Sequence, residues 1–200
     1  MRHGHLRKQG QGRASSRKNA GVLIVTRTYL ELRSPRQLRR AEEPSVTGQY
    51  LRIDPSDIDR YRRMYRDVGG AWSWVDRLKW PDDRIRLHLS APKVAVWELS
   101  VQGAFAGYFE LEHLEDGSVE IAYFGLVPAF FGKRLGAAML ARAVDEAWAM
   151  GATRVWLHTC TLDSPHALPN YKARGFDEFK VERYETPGAP DSRGGPRAES

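Results

Sequence analysis

Residues 118–162 restrict the fold more than any other part of the chain. A run with strand composition, SVEIAYFGLV (118–127), leads through Pro128 and a glycine-containing loop into a run whose apolar residues recur every three to four positions. The next run, RVWLHTCTL (154–162), again has strand composition. A strand, a helix and a strand in this order require a crossover connection. We therefore predict two adjacent parallel strands with the helix on one face of the sheet.

The remaining periodic segments predict an α/β (mixed α+β) fold built on one mixed sheet. Turn residues at Gln102-Gly103 and at 115–117 join three apolar runs into an antiparallel meander. Alternation predicts further strands, and apolar residues at helical spacing predict helices. The expected strands are 21–32, 49–53, 93–101, 104–114 and 177–186, and the expected helices are 55–69, a segment after Pro81, and 164–176.

Charge is distributed unevenly along the chain. The net charge is +6 over 200 residues, but residues 1–40 hold eleven of the 31 Lys and Arg and only one acid, Glu31, which leaves 20 basic and 24 acidic residues for the rest. The basic character therefore belongs to the N-terminus. We expect a disordered basic arm at 1–20, an N-terminal extension with a strand at 21–48, one globular domain at 49–185, and a disordered Pro/Gly/Ser-rich tail at 186–200.

Two further observations concern location and metals. Cys160 is the single cysteine and no apolar run approaches the roughly 20 residues that span a bilayer, so we expect a cytoplasmic protein without a membrane partner. The six histidines show no metal-ligand spacing with cysteine or acidic residues, and we therefore expect no metal.

The loop before the long helix has the character of an anion site. Residues 130–137 would direct several unpaired backbone N–H groups into one small volume at the positive end of a helix dipole. Lys133 and Arg134 add positive charge at the same place. An ordinary strand-to-helix turn would have a similar sequence. Neighbouring features must therefore distinguish an anion site from such a turn.

Three segments in the same order and spacing resemble the GNAT superfamily of acetyl-CoA-dependent N-acetyltransferases, over about residues 49–185. YFGLVPAFFGKRLGAAML is similar to the acetyl-CoA signature of that family, and RVWLHTCTLDSP is similar to its next strand. ALPNYKARGF matches its A-x-x-x-Tyr-x-x-x-Gly-Phe helix. The resemblance implies a central, mostly antiparallel sheet with helices on both faces, and acetyl-CoA as cosubstrate.

The resemblance also implies positions for the cosubstrate. The backbone of Leu126 and Val127 is expected to pair with the pantetheine arm. The pyrophosphate is expected at the backbone of Gly132, Lys133, Arg134, Leu135, Gly136 and Ala137. Phe131 stands where the family prefers Gln or Arg, and Arg134 where it prefers Gly. This departure would either weaken binding or supply a guanidinium contact to a phosphate.

For catalysis, Tyr171 matches the tyrosine of the family that protonates the leaving thiolate, although a core tyrosine would look the same in sequence. Glu120 resembles the general-base glutamate of the histone-acetylating branch. Strict alternation would place Glu120 on the same face as Ala122, Phe124 and Leu126, where burial would raise its pKa. Glu110 and His158 are the second and third candidates for the base.

The acceptor is less well defined. In the family, the helical region before the meander lines the acceptor pocket. The same region of this chain contains Trp72, Trp74, Asp76 and Arg77. These side chains would either bind an ammonium group or pack in the protein core. We expect a small-molecule or peptide amine, with a homodimer compatible with the sequence. Two alternatives are a non-catalytic acyl-CoA-binding module and a nucleic-acid-associated protein that uses the basic arm, the latter disfavoured by the acidic body.

Overall fold

Seven strands form one sheet in the computed structural model, which describes residues 22–72 and 74–187. The strands are β1 (Val22–Leu32), β2 (Gln49–Arg52), β3 (Val94–Val101), β4 (Ala104–His113), β5 (Ser118–Leu126), β6 (Arg154–Cys160) and β7 (Asp177–Pro187). Their order across the sheet is β2-β3-β4-β5-β6-β1-β7. Only the β5–β6 pair among these is parallel, which confirms the mixed, mostly antiparallel sheet. The arm predicted at 1–20 and most of the tail predicted at 186–200 lie outside the described residues.

Helices cover both faces of this sheet, as predicted. The described helices are α1 (Ile58–Gly69), α2 (Asp82–Leu89), α3 (Leu135–Ala149) and α4 (Ala167–Ala173). The apolar sides of α1 and α2 pack with Val94, Val96 and Tyr108 on one face. Buried side chains of α3, including Met139 and Val144, pack against the other face. Two separate hydrophobic clusters result, one on each side of the sheet.

The predicted parallel pair is confirmed, and it is short. Ser118, Val119 and Glu120 of β5 lie opposite 154–156 of β6. The pairing then stops, although β5 continues to Leu126 and β6 to Cys160. The two strands therefore separate toward their carboxyl ends, where the chain enters α3 from β5 and α4 from β6.

The first strand is an interior strand of the sheet. β1 lies between β6 and β7 and is antiparallel to both. Val25, Leu30 and Leu32 on this strand are fully buried. From the sequence we expect 21–48 to be an extension of the globular domain, whereas in the structure β1 belongs to the same sheet as the other six strands. Alternation of apolar and polar residues predicts the strand. Its partner strands are more than a hundred residues away and cannot be identified from the local sequence.

The helix expected at 164–176 is shorter than predicted. It begins at Ala167, and the Ser164 hydroxyl instead accepts the His166 N–H at 3.3 Å in the preceding turn. Pro169 therefore lies in the first helical turn, where a missing N–H breaks no intrahelical bond. Gly175, at φ +96°, ends the helix as expected.

A β-bulge interrupts the pairing of β4 with β5. Leu111 lies opposite Ile121 and Glu110 lies opposite Tyr123, so Ala122 has no partner. The bulge reverses the alternation along β5, and Glu120 shares the α1/α2 face with Tyr123, Glu110 and Glu112. The expectation that Glu120 faces the same way as Ala122, Phe124 and Leu126 is therefore wrong, because an inserted residue shifts the period of two.

Candidate active site

A cavity of about 910 Å³ opens where β5 and β6 separate. Its walls come from the second half of β5, the loop before α3, the first turn of α3, the end of β6, and α4. The side opposite α3 is closed by the segment after α1 and by β1 and β7. Most of the predicted site residues line this cavity: Trp72, Trp74, Asp76, Glu120, Leu126, Gly132, Arg134, Leu135, Gly136, Ala137 and Tyr171.

The loop before α3 presents backbone N–H groups to the cavity. Within the described residues, the N–H groups from Gly132 to Ala137 have no hydrogen-bond acceptor, and the first bond of the series runs from Ala138 to the Arg134 carbonyl at 3.4 Å. A Cβ built on Gly132 would meet nothing within 4 Å, and one on Gly136 would meet only Leu126 Cδ1, at 3.8 Å. The open space beside these glycines fits a group that approaches the backbone closely, such as a pyrophosphate.

Arg134 adopts the left-handed conformation that glycine usually provides. Its φ is +61° at the N-cap of α3, a geometry that costs a non-glycine residue about 1 kcal/mol or more. Its guanidinium pairs with the exposed carboxylate of Glu42. The departure from the family pattern therefore leaves the loop backbone in the shape of a glycine turn. Lys133 lies apart from the cavity wall, with Nζ 4.8 Å from the centre of the Phe130 ring.

The two residues expected to pair with a pantetheine arm differ in their backbone partners. The Val127 N–H donates to the Ala106 carbonyl at 2.9 Å, and its carbonyl accepts from Phe130 at 3.0 Å. The Val127 N–H is therefore already used within the sheet, whereas its carbonyl oxygen keeps a second lone pair, so the pairing of this residue with a pantetheine arm stays a prediction. Leu126 lies opposite Gly107 in a pair whose own N–H and C=O groups point away from β4, toward the gap beside β6.

Tyr171 enters the cavity from α4. It is 6% exposed, and its ring packs edge-on against Phe124 and tilted against Phe176. Burial, with a smaller contribution from the charge of Asp163, raises the pKa of the Tyr171 hydroxyl above its ordinary value. The hydroxyl therefore keeps its proton at neutral pH and is available as a donor.

Glu120 lies on the floor of the same cavity with its side chain 19% exposed. Burial is the largest reason that its pKa is raised to about 7, and the negative charges of Glu112 and Glu110 add to the rise. Arg77 and Arg27 oppose it. A carboxyl group with such a pKa can both accept and release a proton near neutral pH.

The second and third candidates for the base occupy different environments. Glu110 is fully buried, away from the cavity, and accepts hydrogen bonds from Tyr61 Oη at 2.7 Å and Arg77 at 3.0 Å, with His88 Nε2 at 2.8 Å. Its oxygens are held by these partners, which indicates a structural role. His158 does line the cavity, and its Nε2 lies 3.8 Å from Glu120 Oε1.

Two of the residues predicted to contact the acceptor, Trp74 and Asp76, lie in different environments. Trp74 packs against Tyr65 and Tyr123 with ring centres 5.7 and 5.1 Å apart. A Cβ on Gly69 would lie 2.5 Å from Trp74, so this glycine is required by the packing. Trp74 is therefore part of the wall structure, whereas Asp76 is exposed at the rim.

Several cavity residues escape prediction from sequence. Arg27 on β1 and Tyr184 on β7 reach the cavity because β1 lies inside the sheet, and no sequence signal indicates this. Asp163 accepts the Thr159 hydroxyl at 2.9 Å and the Cys160 N–H at 2.8 Å, which fixes the turn after β6. An Asp three residues after a strand is a common turn signal and could have been found.

No group of three or more His, Cys, Asp or Glu side chains in 22–72 and 74–187 is arranged to hold a metal ion. None of the helices in that part of the chain is both long and apolar enough to cross a lipid bilayer.

Comparison with known families gives one match. The acetyltransferase (GNAT) family matches residues 59–176, which is more than half of the chain. No curated protein matches the sequence. The matched segment begins in α1 and ends after α4, so it contains the loop before α3, Glu120 and Tyr171 but not β1 or β7.

Solved structures share the fold at low sequence identity. A GCN5-related N-acetyltransferase from Kribbella flavida is 20% identical with a TM-score of 0.60, over 84% of this chain and 61% of that one. A functionally unknown conserved protein from Staphylococcus epidermidis is 15% identical with a TM-score of 0.55, over 82% and 62%. An aminoglycoside acetyltransferase from a soil metagenomic sample, solved with sisomicin, is 11% identical with a TM-score of 0.55, over 64% and 86%. The chain spans less than two thirds of the first two proteins.

Proposed function

The chain belongs to the acetyltransferase (GNAT) family, and from this premise we propose that it transfers an acetyl group from acetyl-CoA to a primary amine while both are bound. The observation that supports the proposal best is the composition of one cavity. Glu120, Tyr171 and the unpaired N–H groups of 132–137 all line it. A base, an acid and an anion site are the three elements that this reaction requires.

The cosubstrate would be held mainly by backbone groups. The N–H groups of 132–137 would bind the pyrophosphate at the N-terminus of α3, and Leu126 would bond the pantetheine arm along the open edge of β5. Acetyl-CoA supplies an activated thioester. The Arg134 guanidinium would exchange its exposed Glu42 partner for a phosphate oxygen, an exchange favoured because exposed ion pairs contribute little stability.

Glu120 would act as the general base. An amine acceptor arrives as an ammonium ion and must lose a proton before its nitrogen attacks the carbonyl carbon. That first proton passes to solvent, and Glu120 takes the second proton from the nitrogen as the new N–C bond forms. Its raised pKa, about 7, makes it a stronger base than an exposed glutamate, and about half of the carboxyl groups are ionised at neutral pH.

Tyr171 would act as the general acid on the other side of the reacting carbon. As the C–S bond breaks, the electron pair stays on sulfur, and the Tyr171 hydroxyl donates its proton there. Burial in the wall formed by Phe124 and Phe176 holds the phenol protonated and restricts its ring. The two residues thus handle the two protons of the transfer.

The acceptor would enter between the segment after α1 and the middle of β1, at Arg27. Asp76 at the rim and the aromatic wall suit an amine, and one structural neighbour of this fold is an aminoglycoside acetyltransferase. Small-molecule amines and peptide amines both fit an opening of this kind. The acidic groups Glu120, Glu112 and Asp163 in the lining favour a cationic nitrogen.

Two measurements test the proposal. Titration calorimetry with acetyl-CoA should give saturable binding, and free CoA should be released when amines from a panel are added. Absence of both heat and thermal stabilisation at millimolar acetyl-CoA would reject the acetyltransferase function for this chain. Binding without CoA release from any amine would instead favour a non-catalytic acyl-CoA-binding module.

A further inference from the structure

Arg27 differs from the other cations of the cavity in lacking an acidic partner. Three guanidinium groups line the wall, those of Arg27, Arg77 and Arg134. Arg77 pairs with Glu110 at 3.0 Å, and Arg134 pairs with Glu42. Within residues 22–72 and 74–187, no carboxylate lies within 4.0 Å of the Arg27 guanidinium, and its Nε is buried without a hydrogen-bond partner. A partly buried cation without a counter-charge favours the entry of an anion.

The sheet register places Arg27 and Glu120 on the same face. Glu120 lies opposite Trp156, and two residues further along β6 His158 lies opposite Tyr29 of β1. Arg27 lies two residues before Tyr29 on β1, opposite Cys160, and projects from the same side of the pleat. Glu120, His158 and Arg27 therefore form a diagonal across three neighbouring strands on the floor of the cavity.

The groups around Arg27 orient it without neutralising it. Its Nη2 donates to the Tyr184 hydroxyl at 3.2 Å, and its Cζ lies 5.1 Å from the centre of that ring. Glu182 of β7, opposite Arg27, already accepts the Tyr29 hydroxyl at 2.7 Å and pairs with Lys180. The neighbouring acid is thus engaged elsewhere, and Tyr184 holds the guanidinium at the cavity wall.

We propose that Arg27 binds a carboxylate carried by the acceptor close to its amine, so that the acceptors of this protein are amino acids or molecules with the same zwitterionic head. This inference rests on the proposed acetyl transfer. With the carboxylate at Arg27, the amine lies along the diagonal toward Glu120, which takes its proton. An acceptor that carries amines only would leave the cation unpaired.

A carboxylate fits this position better than a phosphate. Arg27 is one guanidinium with one hydroxyl partner, while Glu120, Glu182 and Asp163 surround the site with negative charge. A single negative charge is balanced by one arginine, whereas a dianion would meet net repulsion. Arg27 also lies outside the family-matched segment 59–176, so membership of the family does not by itself predict this residue.

The test compares L-amino acids with their carboxamides, which keep the amine and lose the carboxylate charge. CoA release is measured for the full chain with each pair. We expect KM for the carboxamide to be about 10- to 100-fold higher than for the acid, the value of a charge-assisted hydrogen bond. In Arg27→Gln this ratio should fall close to one, and in Arg27→Lys it should stay intermediate.

Arg183→Gln is the matched control, because it removes the same charge from the other face of β7, away from the cavity, and should keep the wild-type ratio. Tyr184→Phe, a conservative change at a residue 36% exposed, should lower the preference by releasing the guanidinium. This variant tests the proposal even if Arg27→Gln fails to fold.

The outcomes separate the two levels of the proposal. Equal use of acids and carboxamides by the wild type, or an Arg27→Gln variant with an unchanged ratio, overturns the role of Arg27 while acetyl transfer stands. No acetyl-CoA binding and no CoA release with any amine overturns both.

Discussion

At the scale of single residues, the proposed chemistry depends on two groups, Tyr171 and Glu120, whose pKa values are both raised by burial. Tyr171 keeps its proton because burial disfavours the phenolate, and Glu120 holds a proton more firmly than an exposed glutamate for the same reason. Tyr171 is on α4 and Glu120 is on β5, so either side chain can be substituted while the other stays in place.

Tyr171→Phe should lower kcat by about 10²- to 10⁴-fold, the usual contribution of a positioned acid. The Phe ring keeps the packing against Phe124 and Phe176, so calorimetry with acetyl-CoA should give an unchanged Kd and thermal unfolding an unchanged Tm. A variant with wild-type turnover would remove Tyr171 from the reaction and leave it as a core tyrosine.

Glu120 should make stability depend on pH. Its folded-state pKa of about 7 lies above the ordinary value of 4.5, so between these pH values the folded protein keeps a proton that the unfolded chain has released. Stability therefore falls as the pH rises through this window, and the penalty is complete above it.

Glu120→Gln removes the charge and should raise the free energy of unfolding by on the order of 1–3 kcal/mol at about pH 8, with the gain shrinking toward pH 5. Urea unfolding at both pH values measures this. Glu185→Gln, an exposed carboxylate on β7, is the control and should show no such gain. The same titration predicts that wild-type kcat/KM rises with pH through about 7. A gain that is independent of pH would contradict the assigned protonation of Glu120.

At the scale of elements, the loop and first turn of α3 combine two demands on Gly136. As a helical residue, glycine destabilises the fold relative to alanine by about 0.5–1 kcal/mol. Nothing in the protein's own packing requires it, since an added Cβ would have only an ordinary contact with Leu126 at 3.8 Å. We therefore infer that glycine at position 136 leaves room for the ligand proposed to bind this loop.

Gly136→Ala should raise Tm while weakening acetyl-CoA binding about tenfold or more, because the methyl group fills the space that the ligand approaches. Thermal unfolding and calorimetry measure the two effects separately. Gly70→Ala, where an added Cβ meets nothing within 4 Å and which lies away from the cavity, should leave the affinity unchanged. Unaltered affinity in Gly136→Ala would place the pyrophosphate elsewhere.

The bulge of β4 and β5 is the element-scale feature that sequence periodicity misses. Alternation identifies both strands, and their observed bounds agree with the expected ones within a residue. An inserted residue leaves composition unchanged, however, so the face on which Glu120 lies could not be read from the sequence. Glu120 lines the cavity and its role as base stays a prediction, whereas the neighbours expected from strict alternation are wrong.

At the scale of the whole molecule, β1 joins the N-terminal part of the chain to the active site. Because it is inserted between β6 and β7, it both completes the core and brings Arg27 to the cavity. A segment that looks like an extension in sequence is therefore part of the cavity wall, through Arg27, and of the sheet.

Leu30→Ala should accordingly destabilise the protein by about 2–5 kcal/mol, as expected for a fully buried leucine in a shared core. Leu51→Ala on the edge strand β2, where the side chain is 54% exposed, should change the free energy of unfolding by less than about 0.5 kcal/mol. Chemical denaturation of both variants makes the comparison. Equal, small effects would mean that β1 is a removable extension.

Local periodicity and contiguous motifs are sufficient to predict four features of this protein. These are the order and type of the helices and strands, the parallel pair around the α3 crossover, the loop before α3 and the candidate Tyr171. Four features appear only in the tertiary structure: the place of β1, the change of face at Ala122, the hydrogen bonds of the Val127 backbone with Ala106 and Phe130, and the position of Arg27 on the same face as Glu120. These depend on which distant strands pair and in what register. Strand pairing depends on the burial of side chains against partner strands, which for β1 are more than a hundred residues away. Such distant partners cannot be identified from the local sequence pattern.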